Sequence, residues 1–319
     1  MKLNLHYYLS ASAIIISALL SACNSAKPTK NTEIEHLLRQ KIDSIIFNQK
    51  VDLGIAIADD SSIVYSLNAD KAFPMMSVYK LHVAMAVIHE VEAGHISLNQ
   101  KVDVSPDMLI LDTYSPMLAL SKLEFTVNDL LKLSLNKSDN NACDILINLV
   151  GGTSYVNDYI HRFGVTNTQI LWTEADMHEE MLRFSDNFTT PHDAIMVLRQ
   201  AYRMPWIKDC LINCQTGENR IPKHLPKGEN APIVGHKTGS GPNIEGKFIG
   251  INDIGFIITP NGKKYYIAVF CNNSYLSLQE TESIIAQITQ AAYQFLSANT
   301  NSAFWKNKGR GEAETYSRG

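Results

Sequence analysis

Ser77 and Lys80 stand three residues apart near the start of the apolar-periodic stretch FPMMSVYKLHVAMAVIHEVEAG, residues 73–94. Residues at that spacing share a helix face. A lysine ammonium one turn from a serine hydroxyl can polarise or deprotonate it, and the free N–H groups of a helix start favour negative charge nearby. That is how a nucleophile is made. The spacing alone does not select a site, because SLNK supplies a second pair, Ser134 and Lys137, and chance produces roughly one or two in a chain this long.

Two triplets downstream separate the pairs: Ser138-Asp139-Asn140 and Lys237-Thr238-Gly239. Ser-x-x-Lys followed by both triplets in this order should arise by chance well under about one time in a hundred. The residue types suit acyl transfer. Ser138 carries a hydroxyl that both accepts and donates, so it can pass a proton to a leaving nitrogen. Asn140 offers an amide to a substrate side chain. Lys237 and Thr238 offer charge and a hydroxyl to a carboxylate, and Gly239 lets a strand backbone approach a ligand. Ser134, one turn before Ser138 at the end of a helix, reads as structural.

This set resembles the signature of the class A serine β-lactamases from about Thr32 to Ser297, and PMMSVYK, SDNNACDIL, TEADMH and GHKTGSG are most similar to the PER, VEB and CepA-like branch. The resemblance implies a small β-lactam substrate opened by Ser77, with Lys80 as base or electrostatic partner and Ser138 protonating the lactam nitrogen. It implies an oxyanion hole from the backbone N–H groups of Ser77 and Ser240. It also assigns Glu174, in LWTEADMH, as the carboxylate that activates the deacylating water. On residue types alone Glu174 reads as a solvated glutamate in an acid-rich loop with Asp176, Glu179 and Glu180. Tyr114 resembles an aromatic at the site rim. Arg220 resembles an arginine aimed at the substrate carboxylate beside the Lys-Thr-Gly strand, where the bland alternative is a surface arginine.

Two departures from the family pattern bear on the loop around Glu174. Trp172 stands where the usual arginine makes a loop-closing salt bridge, so a differently folded and roomier loop is expected. His178 stands where an asparagine usually helps to hold the water, and it takes over that role or a structural one.

The elements that must position these residues follow from periodicity. A helix is expected near residues 33–48, then strands VDLGIAIAD and SSIVYSLN around the Asp59-Asp60 turn. Residues 77 to about 214 read as mainly helical, with an amphipathic helix over 73–94 and further helices from Thr126, Asn141 and Thr190. APIVGHKTGS is strand-like, DIGFIITPNGKKYYIAVFCNN is a hairpin turning at Asn261-Gly262, and a helix closes the fold from Leu278 to Leu296. The fold class is therefore α/β of the α+β kind. An antiparallel sheet lobe with flanking helices, about 32–76 and 231–298, is built from both chain ends, and an all-helical lobe of about 77–230 is inserted between them. The resemblance makes this the two-lobed serine β-lactamase and penicillin-binding-protein-like fold, with the site between the lobes.

Composition excludes other classes. Of 319 residues, 45% are hydrophobic and 19% charged, and the net charge of −4 carries no basic footprint for nucleic acid. His89-Glu90 lacks the second histidine of a zinc helix and GSGPNI fails the dinucleotide fingerprint, so neither a metal nor another cofactor is expected. Residues 1–22 have Lys2 and an apolar run ending in LSAC, which resembles a lipoprotein signal. Cys23 would then carry lipid, residues 23–31 would be a linker, and the protein would be exported to the periplasm and touch the membrane only through that anchor. Cys210 and Cys214 are expected as neighbours on one helix. Residues 299–319 read as a disordered tail without a function. Two rival readings share the motifs: a penicillin-binding peptidase, and a lipoprotein sensor that is acylated by β-lactams and stays so.

Overall fold

The computed structural model describes residues 30–120 and 122–297. The signal-like segment, Cys23 and the tail lie outside the described residues.

The sheet is antiparallel and five-stranded, in the order β2-β1-β11-β10-β7. Its strands are β1 (Asp52–Ala58), β2 (Ile63–Leu67), β7 (Ile233–Gly239), β10 (Ile251–Ile258) and β11 (Lys264–Asn272). All but the first residue of β1 are buried, as an apolar run covered on both faces requires. The two-residue period sorts its side chains. Leu53, Ile55 and Ile57 join Ile267, Val269 and Cys271 under helices α1 (Lys30–Ile46) and α9 (Leu278–Ser297). Ala56 and Ala58 join Tyr266, Ala268 and Phe270 on the opposite face, against the helical body.

That body is arranged around helix α2 (Tyr79–Glu92), in which every residue from Tyr79 to Ile88 is buried, Lys80 and His82 included. The helix is thus apolar nearly all round, as a helix in a core must be, rather than amphipathic. It also starts later than its periodicity predicts. Phe73–Pro74 is a short strand, β3, paired with β6 (Phe188–Thr189), and Met76–Val78 forms a 3-10 turn. Pro74 explains the delay, because the residue before a proline is driven from helical to extended backbone. The stop at Gly94, with φ of 78°, falls where expected.

Helices α3 (Val127–Lys137), α4 (Asn140–Leu149) and α5 (Thr153–His161) pack beside α2. The short helix α6 (Glu174–Glu179) leads into β6, and α7 (Pro191–Arg203) and α8 (Pro205–Ile212) return the chain to the sheet. Small ribbons complete the fold: β4 (Lys101–Asp103) with β5 (Glu124–Thr126), and β8 (Asn243–Ile244) with β9 (Lys247–Phe248). Helix α8 ends at Ile212, so Cys210 lies on it and Cys214 lies beyond it, a correction to the expected shared helix. Cys143, Cys210, Cys214 and Cys271 are all free thiols.

Candidate active site

Ser77 sits in the 3-10 turn that precedes α2, and three neighbours fix that turn. The Asn252 Nδ2 donates to the carbonyls of Pro74 at 2.8 Å and Met75 at 3.2 Å, and the Met75 N–H donates to the Asn187 carbonyl at 2.9 Å. Gly239 closes the third side. A Cβ there would lie 2.4 Å from the Met75 carbonyl oxygen, so the glycine lets strand β7 approach the backbone of the Ser77 turn itself. Met76 holds a left-handed φ of 48°, a conformation that a bulky residue keeps only when its surroundings impose it.

Lys80 is wholly buried, and its ammonium has three neighbours: Ser77 Oγ at 2.9 Å, Asn140 Oδ1 at 3.0 Å and the Glu174 carboxylate in close contact. An ammonium has three protons to donate, so the three acceptors fill it. Burial opposes its charge, but the Glu174 carboxylate, Cys143 and Asp144 together outweigh burial and hold Lys80 above its ordinary range. The Asn140 Nδ2 donates to Thr113 Oγ1 at 2.7 Å, which fixes the orientation of the amide.

Glu174 is placed by a helix start. Thr173 and Asp176 form a reciprocal cap on α6. Asp144, one turn after Asn140 on α4, accepts the backbone N–H groups of Glu174 and Ala175, each at 2.8 Å. Burial, then the nearby Glu174 charge, pushes the Asp144 carboxyl up to about 7.

Although the usual arginine is missing, the neck of this loop is closed. The Trp172 indole N–H donates to Asp186 at 3.0 Å, and the Arg183 guanidinium lies 4.6 Å from the Trp172 ring centroid. The Asn187 side chain accepts the N–H groups of Leu171 and Trp172 and donates to the Trp172 carbonyl. An indole and an amide thus replace an ion pair.

Ser138 occupies the α3–α4 junction in left-handed backbone, φ 60° and ψ 31°. Lys237 Nζ donates to its hydroxyl at 2.9 Å and to the Thr238 carbonyl at 2.9 Å. Burial pulls Lys237 down to about 8, against the attraction of Cys214 and with added repulsion from Lys80. Asp139 accepts from the Ala142 N–H, the Met117 N–H and the Ser115 hydroxyl, tying the loop that carries Tyr114 to the start of α4. Ser134 is fully buried, and its hydroxyl has no partner among the described residues.

These groups line one cleft of about 540 Å³ that contains Ser77, Ser138, Asn140, Glu174, Thr238 and Ser240. Tyr114, 60% exposed, and His178 stand on its rim, where His178 Nε2 lies 3.1 Å from Asp112 Oδ1. Arg220 is no surface residue. It is buried, donates to Gly239 O at 2.9 Å, Asn252 O at 2.8 Å and Ser240 Oγ at 2.6 Å, and pairs with Glu282 at 3.1 Å. It reaches the cleft through Ser240. Thr113, Asp144, Asn187 and Thr216 complete the site, and no sequence motif marks them. Only Asp144 carried a usable signal, its helical spacing from Asn140.

The geometry has close counterparts among known proteins. The family model described as "Beta-lactamase enzyme family" matches residues 37–296. A beta-lactamase of Bacteroides uniformis is 36% identical over 269 residues, covering 80% of this chain and 90% of the relative. The extended-spectrum beta-lactamase PER-1 of Pseudomonas aeruginosa is 34% identical over 298 residues, covering 88% of this chain and 96% of the relative. Among solved structures, a class A beta-lactamase representative from Bacteroides cellulosilyticus DSM 14838 superposes with a TM-score of 0.79 at 34% identity, covering 83% of this chain and 99% of that one.

Proposed function

The chain belongs to the class A serine β-lactamases and hydrolyses the β-lactam amide bond, giving antibiotic resistance; on that premise we propose how its residues divide the work. The carrying observation is the filled Lys80 ammonium. With its three protons committed to Ser77, Asn140 and Glu174, Lys80 cannot also take the Ser77 proton. The base for acylation is therefore Glu174, acting through a water, while Lys80 holds the Ser77 oxygen and stabilises charge on it.

The Ser77 oxygen attacks the lactam carbonyl, and the N–H groups of Ser77 and Ser240 receive the oxyanion. The lactam C–N bond breaks as Ser138 gives its proton to the nitrogen, helped by the Lys237 ammonium on the Ser138 oxygen. Lys237, Thr238 and Ser240 receive the substrate carboxylate, with Arg220 supporting Ser240. Asn140 keeps one amide proton beyond its bond to Thr113 and offers it to the acylamino side chain. The proton that Glu174 took from Ser77 returns through cleft water to the Ser138 oxygen, so Glu174 is ionised again; it then draws a proton from a second water, whose oxygen attacks the ester, and passes that proton to the Ser77 oxygen as the acyl C–O bond breaks. The contact between His178 and Asp112 favours a structural role for His178 across the cleft mouth over a water-holding one.

The substrates proposed are cephalosporins and other β-lactams of an extended spectrum; the name of the Pseudomonas aeruginosa relative PER-1 carries the words extended-spectrum, and the cephalosporin preference is our own proposal. The protein is proposed to be exported and anchored through Cys23. Replacing Cys23 should then release it from the membrane fraction. Steady-state turnover of a chromogenic cephalosporin tests the hydrolytic reading. Many turnovers per protein are expected, and a single stoichiometric burst would instead mark a penicillin-binding peptidase or a sensor.

A further inference from the structure

Behind the cleft lies a second cluster of titratable groups that the hydrolysis does not use. Asp253, wholly buried on β10, holds the Nδ1 of His236 with both carboxylate oxygens at 3.0 Å. Asp253 is anchored in turn by the Ile221 N–H at 3.1 Å. The His236 imidazole, 5% exposed on the neighbouring strand β7, faces the thiol of Cys214. Carboxylate, imidazole and sulfur thus stand in series, an arrangement that activates cysteine nucleophiles generally.

The chain of contacts does not end at sulfur. Cys214 Sγ lies 3.4 Å from the Thr216 hydroxyl, which lies 2.6 Å from the Thr238 hydroxyl, and both threonines line the cleft. Cys214 is also the only cysteine among the described residues that is not buried; Cys143, Cys210 and Cys271 are. The charged and titratable groups facing it are His236 and Lys237 from β7, with Asp253 of β10 behind His236. Burial works against a thiolate there, but the His236 imidazolium and then Lys237 outweigh it and bring Cys214 down to about 7. Burial works against the charge of His236, but Asp253 and then the Cys214 thiolate together outweigh it and hold the imidazole up at about 10, so it keeps its proton beside the thiolate. In the other three thiols burial wins and pushes each up to about 12.

We propose that Cys214 is a covalent modification site for small soft electrophiles, set up by the Asp253–His236–Cys214 series and coupled through Thr216 to the Thr238 that lines the cleft. With an α-halo amide the thiolate sulfur forms the S–CH2 bond, the carbon–halogen bond breaks, and the halide leaves with the electron pair. His236 retains its proton throughout. The thioether product is uncharged and larger, so it weakens the contact to Thr216 and displaces the hydroxyl pair.

The test is iodoacetamide labelling of the folded protein near pH 7, with peptide mass mapping and cephalosporin kinetics on the same samples. Labelling is read without turnover, so it stands or falls separately from the hydrolytic reading. The first label is expected on Cys214. His236→Asn should slow it about fivefold or more, the gain in thiolate fraction less the loss of intrinsic nucleophilicity. If that variant does not fold, the wild-type rate against pH serves instead, with its midpoint expected near 7 rather than at the ordinary thiol value of about 8.5. KM should rise several-fold in step with labelling of Cys214, and Cys214→Ser should give the same KM before and after the reagent. First labelling of Cys143, Cys210 or Cys271, or a rate with the ordinary midpoint, overturns the site. A fully labelled protein with unchanged KM overturns the coupling.

Discussion

The carboxylate of Asp144 spans the start of helix α6, receiving the N–H groups of Glu174 and Ala175 at 2.8 Å each. A residue on α4 thereby sets where the Glu174 side chain begins. The same two N–H groups are the positive end of a short helix, so the arrangement couples the charge of one buried carboxyl to the position of another.

That coupling predicts a pH dependence. The Asp144 carboxyl stands at about 7, raised first by burial and then by Glu174, against about 4 in an unfolded chain. Between those values the folded protein holds a proton that the unfolded chain has released. Its contribution to stability is present at low pH, falls as pH rises through the window and levels off above it. Asp144→Asn has no such group, so urea unfolding should show wild type losing stability relative to the variant from about pH 4 to 7. A difference that stays flat across this range would dispose of the perturbed carboxyl. The variant should also turn over more slowly, because an amide oxygen can accept only part of what the carboxylate accepts.

Ser77 and Ser134 provide a matched control. Ser77→Ala should abolish hydrolysis, since the Lys80 ammonium then faces no nucleophile. Ser134→Ala removes a buried hydroxyl without a partner and should leave activity near wild type and stability within about 1 kcal/mol. A covalent adduct on a peptide containing Ser134 would reverse the assignment.

Arg220→Ala combines a functional and a structural loss. It leaves Glu282 unpaired, strips a donor from two buried carbonyls and frees the Ser240 hydroxyl. A destabilisation of about 3–5 kcal/mol is expected from breaking a buried pair on one side, together with a higher KM. Arg220→Ala with Glu282→Gln should regain part of the stability but not the KM. Recovery of both would mean that Arg220 acts on the fold alone.

The sequence discloses the site better than it discloses what holds the site. Ser77, Lys80, Ser138, Asn140, Lys237 and Thr238 announce themselves because short-range spacing encodes them. The Trp172–Asp186 contact spans a loop of irregular backbone, and no periodicity links its ends. His236 meets Asp253 only through the register of β7 on β10, in which Gly255 faces His236 and Thr238 faces Asp253. Register of that kind follows from the whole sheet. The start of α2 is not legible in the sequence, because Phe73 and Pro74 look like helix flank until Phe188 and Thr189 pair with them.

The neck of the Glu174 loop is open to direct test. Trp172→Ala removes the indole hydrogen bond to Asp186 and the surface on which Arg183 lies. Together these should cost about 1–2 kcal/mol. Proteolysis within residues 173–186 should accelerate and turnover should fall, while Trp172→Phe should keep the stacking but not the hydrogen bond and lie between. Unchanged proteolysis in Trp172→Ala would mean that Asn187 closes the neck by itself.

Glu174 carries the prediction on which the hydrolytic mechanism depends. Attack by Ser77 leaves an ester, and an ester in a closed cleft persists unless a positioned base takes a proton from water. Glu174 is held for that task by the Asp144 contact to its own N–H and by the Lys80 ammonium against its carboxylate. Glu174→Gln keeps the shape and removes the base. It should slow release of the acyl-enzyme by roughly 10²–10⁴-fold, so intact mass after mixing with a good cephalosporin should show one adduct on Ser77 persisting for minutes. Acylation should slow as well, because the filled Lys80 ammonium leaves Glu174 as base for that step too. Glu179→Ala and Glu180→Ala should accumulate no adduct, since neither residue lines the cleft. Rapid acylation with blocked release would return the first proton transfer to Lys80. Near-normal turnover by Glu174→Gln would remove Glu174 from the chemistry altogether.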